Sequence, residues 1–228
     1  MYFDPWYFLI MGIGLVITFA AQAKVKGSYA KYSRINNAEG LTGAQAAQKV
    51  LDNAGVTGVT IEPIQGTLTD HYDPRNRSIC LSEGVYNCAT IAAVGIACHE
   101  AGHAIQHARG YSPLKLRNAI IPMTGVGPMI GMILMMIGMI INVMGIIWLG
   151  IFLFGFTFLF QLITLPVEFD ASHRALTIIK QTGLLAPEEQ DGAKAMLVSA
   201  ALTYVAAMLQ SLLTLLYYIV RFTGNRRR

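Results

Sequence analysis

Long apolar stretches without a single charged residue alternate with polar segments along this chain. These stretches cover residues 5–23, 118–167 and 195–220. A helix needs about 20 apolar residues to cross a hydrocarbon layer roughly 30 Å thick. The first and third stretches therefore predict one membrane span each. The second, with about 50 residues, predicts a hairpin of two spans that turns near residues 142–145. The pattern predicts about four transmembrane helices.

The N-terminal stretch has the charge order of an uncleaved anchor and not that of a signal peptide. Asp4 stands where a signal peptide carries basic residues, while Lys24 and Lys26 follow the apolar segment. Basic residues flank the cytoplasmic end of a span more often than the outer end. We therefore expect residues 1–23 to form a transmembrane anchor with its N-terminus outside.

The remaining basic residues predict the orientation of the other segments. They place residues 24–117 on the cytoplasmic side, and the hairpin of residues 118–167 then returns the chain to that side. The last segment, residues 195–228, combines a span with a basic tail that would lie outside. Either this tail departs from the positive-inside rule or the last helix does not fully cross. The basic residues concerned are Lys24, Lys26, Lys31, Arg34, Lys115 and Arg117 before the hairpin, and Arg221, Arg226, Arg227 and Arg228 in the tail.

Residues 24–117 have the mixed pattern of a small α+β domain. Thr42 can cap a helix over residues 43–53. Short strands are predicted at residues 56–63, 68–71 and 78–82, and a long helix at about residues 87–108. We expect the strand at residues 78–82 to form a sheet edge, to which an extended substrate could add as a further strand.

Composition supports a membrane protein and argues against a nucleic-acid partner. Hydrophobic residues make up 54% of the chain and charged residues 13%, whereas soluble domains contain roughly 25% charged residues. The net charge is +4, yet no basic run is interleaved with aromatic residues, so we expect contact with the lipid bilayer. The three cysteines form no metal knuckle and no disulfide pattern, which predicts free thiols.

The candidate chemistry lies on the predicted long helix, in the HExxH motif that begins at His99. Because His99 and His103 are one helical turn apart, both imidazoles can bind one zinc ion. Glu100 lies beside them, where it can take a proton from a water that the zinc activates. Two histidines buried without a metal are the alternative, which the strong helix pattern behind the strands disfavours.

A catalytic zinc site needs a third protein ligand. The metzincin pattern fails because Gln106 and Arg109 stand where it requires glycine and histidine. His107 lies about 12 Å along the helix axis from His99, too far to share the ion. Glu168, the first charged residue after the hairpin, remains as a candidate. We expect the segment of residues 168–194 to carry it on a helix that begins with Pro166 in its first turn and ends near Gly183, because proline suits the first turn of a helix.

Five sequence blocks, in order, resemble a known family. The chain resembles the YugP-type neutral zinc metallopeptidases of bacterial membranes over nearly its whole length. It is more distantly similar to HtpX and the CAAX prenyl proteases, gluzincins in which HExxH is followed by E-x-x-A-D. The blocks are residues 41–44 (LTGA), 68–75 (LTDHYDPR), 81–87 (LSEGVYN), 99–106 (HEAGHAIQ) and 166–172 (PVEFDAS).

The resemblance implies a gluzincin-like zincin domain, with a short sheet and an HExxH helix, combined with the membrane helices. It implies that Glu168 is the third zinc ligand and that Ala171 is the small residue after it. Ser172 departs from the pattern, because the relatives carry an aspartate there that orients a ligand histidine. Ser172 can still form a hydrogen bond but brings no charge.

These observations predict a membrane-embedded zinc endopeptidase that cleaves membrane-associated proteins or peptides. His71, Tyr72 and His173 are the candidates to stabilise the oxyanion or to contact the substrate. A transporter is disfavoured, because the predicted spans contain no ionisable side chain of the kind that transport uses. A catalytically weak zinc-binding scaffold is the alternative. The intact Glu100 argues against it, and Ser172 favours it.

Overall fold

A computed structural model describes residues 4–224, and this part of the chain is mostly helical with one small mixed sheet. Arg226, Arg227 and Arg228 of the predicted basic tail lie outside the described residues. The described elements, in chain order, are α1 (Pro5–Tyr32), α2 (Gly43–Asn53), β1 (Thr60–Ile64), β2 (His71–Asp73), β3 (Ser78–Ser82), α3 (Glu83–Tyr86), α4 (Ile91–Ala108), α5 (Ser112–Ile140), α6 (Met144–Thr182) and α7 (Pro187–Thr223).

Four of these helices, α1, α5, α6 and α7, are long and apolar enough to cross a membrane. The expected number of long apolar helices is thus confirmed among the described residues, and the chain has the features of a multi-pass membrane protein. Each helix is longer than the charge-free stretch that predicted it. The longest, α6, has 39 residues and measures about 58 Å at 1.5 Å per residue. It can therefore span the hydrocarbon layer and still extend well beyond it.

The prediction that a helix begins at Pro166 is wrong. Pro166 lies inside α6, and the helix continues through it as far as Thr182. Proline removes one backbone hydrogen bond but leaves the rest of a long helix intact, and apolar membrane helices tolerate it. Glu168 therefore lies on the same continuous helix as the second half of the apolar hairpin.

Contacts group the described residues into two compact units. The first comprises residues up to Ala21, Leu116–Leu165 and residues from Thr203 onward. It contains the hairpin of α5 and α6, which turns at Asn142 with a left-handed φ of 56°. A Cβ atom on Gly131 would lie 2.7 Å from the Gly150 carbonyl oxygen. The two arms of the hairpin thus pack backbone to backbone, as small residues permit in membranes.

The second unit comprises Gln22–Lys115 and Pro166–Leu202 and contains the sheet. Its strand order is β1-β3-β2, with β3 parallel to β1 and antiparallel to β2. The prediction that β3 is an edge strand is therefore wrong, because both of its sides are paired. The strand prediction at residues 78–82 is confirmed. The other two strands lie further along the chain than expected, because Gly58 and Leu68 adopt left-handed φ angles of 72° and 57°.

Helix α4 lies at the centre of the second unit. Of its 18 residues, all are buried except His99, His107 and Ala108. It begins four residues later than predicted, because the Thr90 side chain caps it by accepting from the backbone N–H of Ala93 at 3.2 Å. The predicted α2 is confirmed, with Thr42 and Gln45 forming a complete capping box. The apolar core of this unit surrounds α4 with α2, the sheet and parts of α6 and α7.

Helices α4 and α6 approach each other closely at Gly102. A Cβ atom there would lie 2.6 Å from the backbone carbonyl oxygen of Ala171, a residue that is itself fully buried. Real Cβ atoms do not approach an oxygen so closely, and a backbone carbonyl within a helix cannot rotate away. Only glycine at position 102 therefore permits the observed distance between the two helices.

We expect Gly102→Ala to destabilise the second unit by about 1–3 kcal/mol, the usual effect of overpacking. The matched control is Gly27→Ala in α1, where a Cβ atom would meet nothing within 4 Å. Because alanine is the better helix former by roughly 1 kcal/mol, this control should unfold at or above the temperature of the parent. Thermal unfolding of both variants in detergent tests the contact. An unchanged midpoint for Gly102→Ala would contradict it.

Candidate metal centre

The structure brings together His99 and His103 of α4 and Glu168 of α6. The Oε2 atom of Glu168 lies 3.4 Å from His99 Nε2 and 3.6 Å from His103 Nε2. One potential ligand atom from each residue lies within 4.8 Å of the other two. The two imidazole rings are nearly perpendicular, with their centroids 4.7 Å apart and an interplanar angle of 82°. The three side chains thus converge on one small volume.

The distances within this cluster fit a shared metal ion better than direct hydrogen bonds. At 3.4 and 3.6 Å, the carboxylate is too far from either ring for a good hydrogen bond. Ligands bound at about 2.0–2.1 Å in a tetrahedron are separated by about 3.3–3.4 Å. Two neutral imidazoles and one carboxylate are also a donor set that zinc favours. The three residues therefore fit a zinc ion with one position left for another ligand.

Glu168 reaches the histidines because of the close contact between α4 and α6. Ala171 lies three residues after Glu168 and packs against Gly102 of the HExxH motif. Glu168 is only 3% exposed and so lies in the core. Burying a carboxylate is unfavourable unless it is paired or bound to a metal. Its ionic neighbours include His99 and His103.

Ser172 lies one helical turn after Glu168 and contacts the first histidine. Its Oγ atom is 3.1 Å from His99 Nδ1, the ring nitrogen that faces away from Glu168. A hydroxyl group can donate or accept a hydrogen bond. Ser172 therefore supports the position of the His99 ring without setting the ring's proton position.

The structure also places Gln106 beside the second histidine, a contact that the sequence analysis missed. Gln106 Oε1 lies 3.0 Å from His103 Nδ1. The Gln106 side chain is fully buried, and its Nε2 atom donates to the Val167 carbonyl and to Asp170 Oδ2, both at 2.8 Å. The sequence feature that could have indicated this contact is a glutamine three residues after His103, on the buried side of an apolar helix.

Glu100 lies beside the cluster but is not among its three converging residues. It is buried, and burial raises the pKa of its carboxyl group to about 7, with Glu168 adding to the increase and His99 opposing it. A carboxyl group with a pKa near neutrality can both accept and release a proton under ordinary conditions. Its environment thus suits proton transfer better than permanent charge.

The residues predicted to contact the substrate or the oxyanion lie in two places. His71 and Tyr72 are on β2, which packs against α4. The Tyr72 hydroxyl lies 2.8 Å from His107 Nδ1, so His107 pairs with the sheet and not with the other histidines. His173 instead lines a cavity of about 340 Å³ together with Arg109 and Arg174, and none of the three clustered residues lines it.

Comparisons with known proteins identify relatives of this chain. The family model described as "putative neutral zinc metallopeptidase" matches residues 7–223. The chain is 44% identical over 220 residues to the "putative membrane protease YugP" of Bacillus subtilis strain 168, which covers 96% of this chain and 97% of that protein. No solved structure matches the chain.

The family match spans almost all of the chain, including both helices that supply the clustered side chains and all four long apolar helices. The identity to the Bacillus protein is also far above the level at which relatives share a fold and extends over nearly the full length of both proteins. The chain therefore belongs to the family described as putative neutral zinc metallopeptidases.

Proposed function

We propose that this protein is a membrane-embedded zinc-dependent endopeptidase with a gluzincin-like centre. His99, His103 and Glu168 are the proposed zinc ligands. The observation that carries the proposal is the convergence of two histidine Nε2 atoms and one carboxylate oxygen, at separations of 3.4 and 3.6 Å from that oxygen. The family match and the protease-named relative support it.

A zinc ion held there would supply Lewis-acid polarisation of the scissile carbonyl and of the attacking water. Glu100 is the proposed general base. Its buried carboxylate takes the proton from the water as the water attacks, and later gives that proton to the leaving amine. The packed core around α4 limits the access of bulk water to this exchange.

The substrate is expected to be a peptide segment in an extended conformation. Because β3 is paired on both sides, a peptide backbone can add only to an outer strand. Strand β2 is the better candidate, since it packs against α4 and carries His71 and Tyr72. We propose these two side chains as substrate or oxyanion contacts. The four long apolar helices of the chain favour membrane-associated proteins or peptides as substrates.

A catalytically weak zinc scaffold is the second candidate. Ser172 favours it, because a neutral hydroxyl beside His99 Nδ1 raises the basicity of a ligand less than a carboxylate does. The two candidates share the same zinc ligands. They differ only in whether zinc-loaded protein hydrolyses peptides.

We also propose that the active site faces the cytoplasm. The basic residues after the first span and before α5 support this orientation under the positive-inside rule. The turn of the α5–α6 hairpin then lies on the opposite side of the membrane.

We expect Glu100→Gln to retain zinc and lose peptide hydrolysis by roughly 10²–10⁴-fold, because it removes the base without removing a ligand. Purified, zinc-loaded parent and variant are compared on an unstructured protein substrate, with zinc content measured in parallel. Unchanged turnover by the zinc-loaded variant would contradict the peptidase mechanism. A parent that binds zinc but never hydrolyses a peptide would favour the scaffold.

The orientation is tested with single cysteines in a background that lacks Cys80, Cys88 and Cys98. A cysteine at Asn76, in the exposed turn after β2, should resist an impermeant thiol reagent in intact cells. The matched control is a cysteine at Val143, in the exposed hairpin turn, which should react readily. Both should react after permeabilisation. The reverse labelling in intact cells would invert the topology.

A further inference from the structure

The side chain of Gln106 uses both of its polar atoms in a buried setting. The residue is fully buried within α4. Its amide nitrogen donates to the Val167 carbonyl and to Asp170 Oδ2, and its oxygen faces His103 Nδ1. A buried amide whose hydrogen bonds are all satisfied is held in one orientation.

The partners of Gln106 dictate that orientation. A backbone carbonyl and a carboxylate oxygen can only accept hydrogen bonds, so the amide nitrogen has to face them. Asp170 is held as a carboxylate by Arg174, whose Nε atom donates to the same Oδ2 atom at 2.6 Å. Arginine is always protonated in proteins and can only donate. Flipping the amide would place its oxygen against two acceptors, which excludes the flipped form.

The fixed amide in turn dictates the proton position on His103. Gln106 Oε1 can only accept, so the hydrogen bond of 3.0 Å requires a proton on His103 Nδ1. In a neutral imidazole the other nitrogen then carries the lone pair. That nitrogen, Nε2, is the one that faces Glu168. In the series Arg174, Asp170, Gln106 and His103, Asp170 accepts from both Arg174 and Gln106, and Gln106 accepts from His103, so each hydrogen bond has only one permitted direction. The series ends on the proposed ligand atom.

The described hydrogen-bond partner of His99 does not fix a proton position in this way. The Nδ1 atom of His99 faces the Ser172 hydroxyl, which can donate or accept and so permits either tautomer. The two proposed ligand histidines thus differ in how strongly their surroundings fix the tautomer of the imidazole ring. This difference is not visible in the HExxH motif, where the two histidines look equivalent.

We propose that Gln106 is a positioning residue that fixes His103 in the Nδ1–H tautomer, with Nε2 unprotonated and ready to bind the metal. Asp170 and Arg174 hold Gln106 in the required orientation. The inference rests on the proposed zinc site and adds a source of metal affinity that the three ligands alone do not provide. Without Gln106, the His103 ring is free to rotate and to exchange tautomers, and part of the population presents an N–H to the metal.

A purely structural role is the competing explanation, since Gln106 also links α4 to α6 through Val167 and Asp170. Both explanations predict a loss of stability in a Gln106 variant. Only the positioning role predicts a weaker zinc affinity per folded chain and a changed tautomer. The matched control is Asn37, another buried amide in the same unit, whose side chain bonds the Leu41 backbone through both its oxygen and its nitrogen.

We expect Gln106→Met, which keeps the side-chain volume, to bind zinc about 10–100-fold more weakly than the parent. Asn37→Leu should match the parent in zinc affinity while losing thermal stability. The affinities are measured for full-length protein in detergent by competition with a chelator of known affinity, below the unfolding temperature of each variant. Parent-like affinity for Gln106→Met, or an equal loss of affinity in Asn37→Leu, would overturn the positioning role.

Asp170 offers a conservative rescue. Because its single Oδ2 atom accepts from both Gln106 and Arg174, the amide oxygen of Asp170→Asn can accept both bonds. We expect Asp170→Asn to retain most of the zinc affinity and Asp170→Leu to behave like Gln106→Met. Equal losses in the two Asp170 variants would show that charge, and not the direction of hydrogen bonding, is what matters, and would overturn the proposed series.

The tautomer itself is read by nitrogen-15 NMR of histidine-labelled, metal-free protein at a pH where the rings are neutral. His103, identified by comparison with His103→Asn, should carry its proton on Nδ1 in the parent and should exchange between tautomers in Gln106→Met. An Nε2–H tautomer in the parent would overturn the inference. This readout needs no zinc. A parent that binds no zinc but shows the Nδ1–H tautomer would therefore sink the proposed function and leave the proton position supported.

Discussion

The close contact between α4 and α6 is the constraint on which the whole centre depends. The backbone carbonyl of Ala171 lies where any side chain at Gly102 would stand, so the two helices meet with nothing between them. His99 and His103 flank Gly102 on α4, and Glu168 precedes Ala171 by three residues on α6. A longer distance between the helices would separate the carboxylate from the imidazoles. The small residues in HEAGH and in the EFDA segment are therefore part of the candidate metal centre.

Three polar groups of the centre, Glu168, Gln106 and Asp170, are tolerated beside an apolar core because each has a partner. Burying an unpaired charge is strongly unfavourable, and burying an unsatisfied amide costs about 1–3 kcal/mol. Here Glu168 faces two imidazoles, Gln106 uses both ends of its amide, and Asp170 is paired with Arg174. The spacing of Asp170 and Arg174, four residues apart on a helix, suggests only a surface ion pair. In the structure the pair is half-buried and connects to His103 through Gln106. The same few buried residues therefore both pack in the core and neutralise one another's charge or polarity.

The sequence predicts those features that depend on local pattern. Charge-free runs predicted four long helices, the capping residue Thr42 predicted α2, and the polar turn at residues 73–76 predicted a short strand at β3. It did not predict that α6 continues through Pro166, because the local rule for proline ignores the many remaining hydrogen bonds of a long helix. The central place of β3 and the role of Gln106 also escaped prediction. Both depend on partners in other elements, 18 residues away for β1 and up to 64 residues away for Asp170, which no local pattern encodes.

We propose that His99, His103 and Glu168 together hold one zinc ion. The most direct test is the number of zinc ions per chain that remain after dialysis against a graded series of chelator concentrations, measured for the parent, Glu168→Ala and His107→Ala. His107 continues the histidine row of α4 but pairs with Tyr72, so its loss serves as the control. We predict one zinc in the parent and in His107→Ala, and loss of zinc at low chelator concentration in Glu168→Ala, because two histidines alone bind zinc weakly. Full zinc retention by Glu168→Ala would contradict the account.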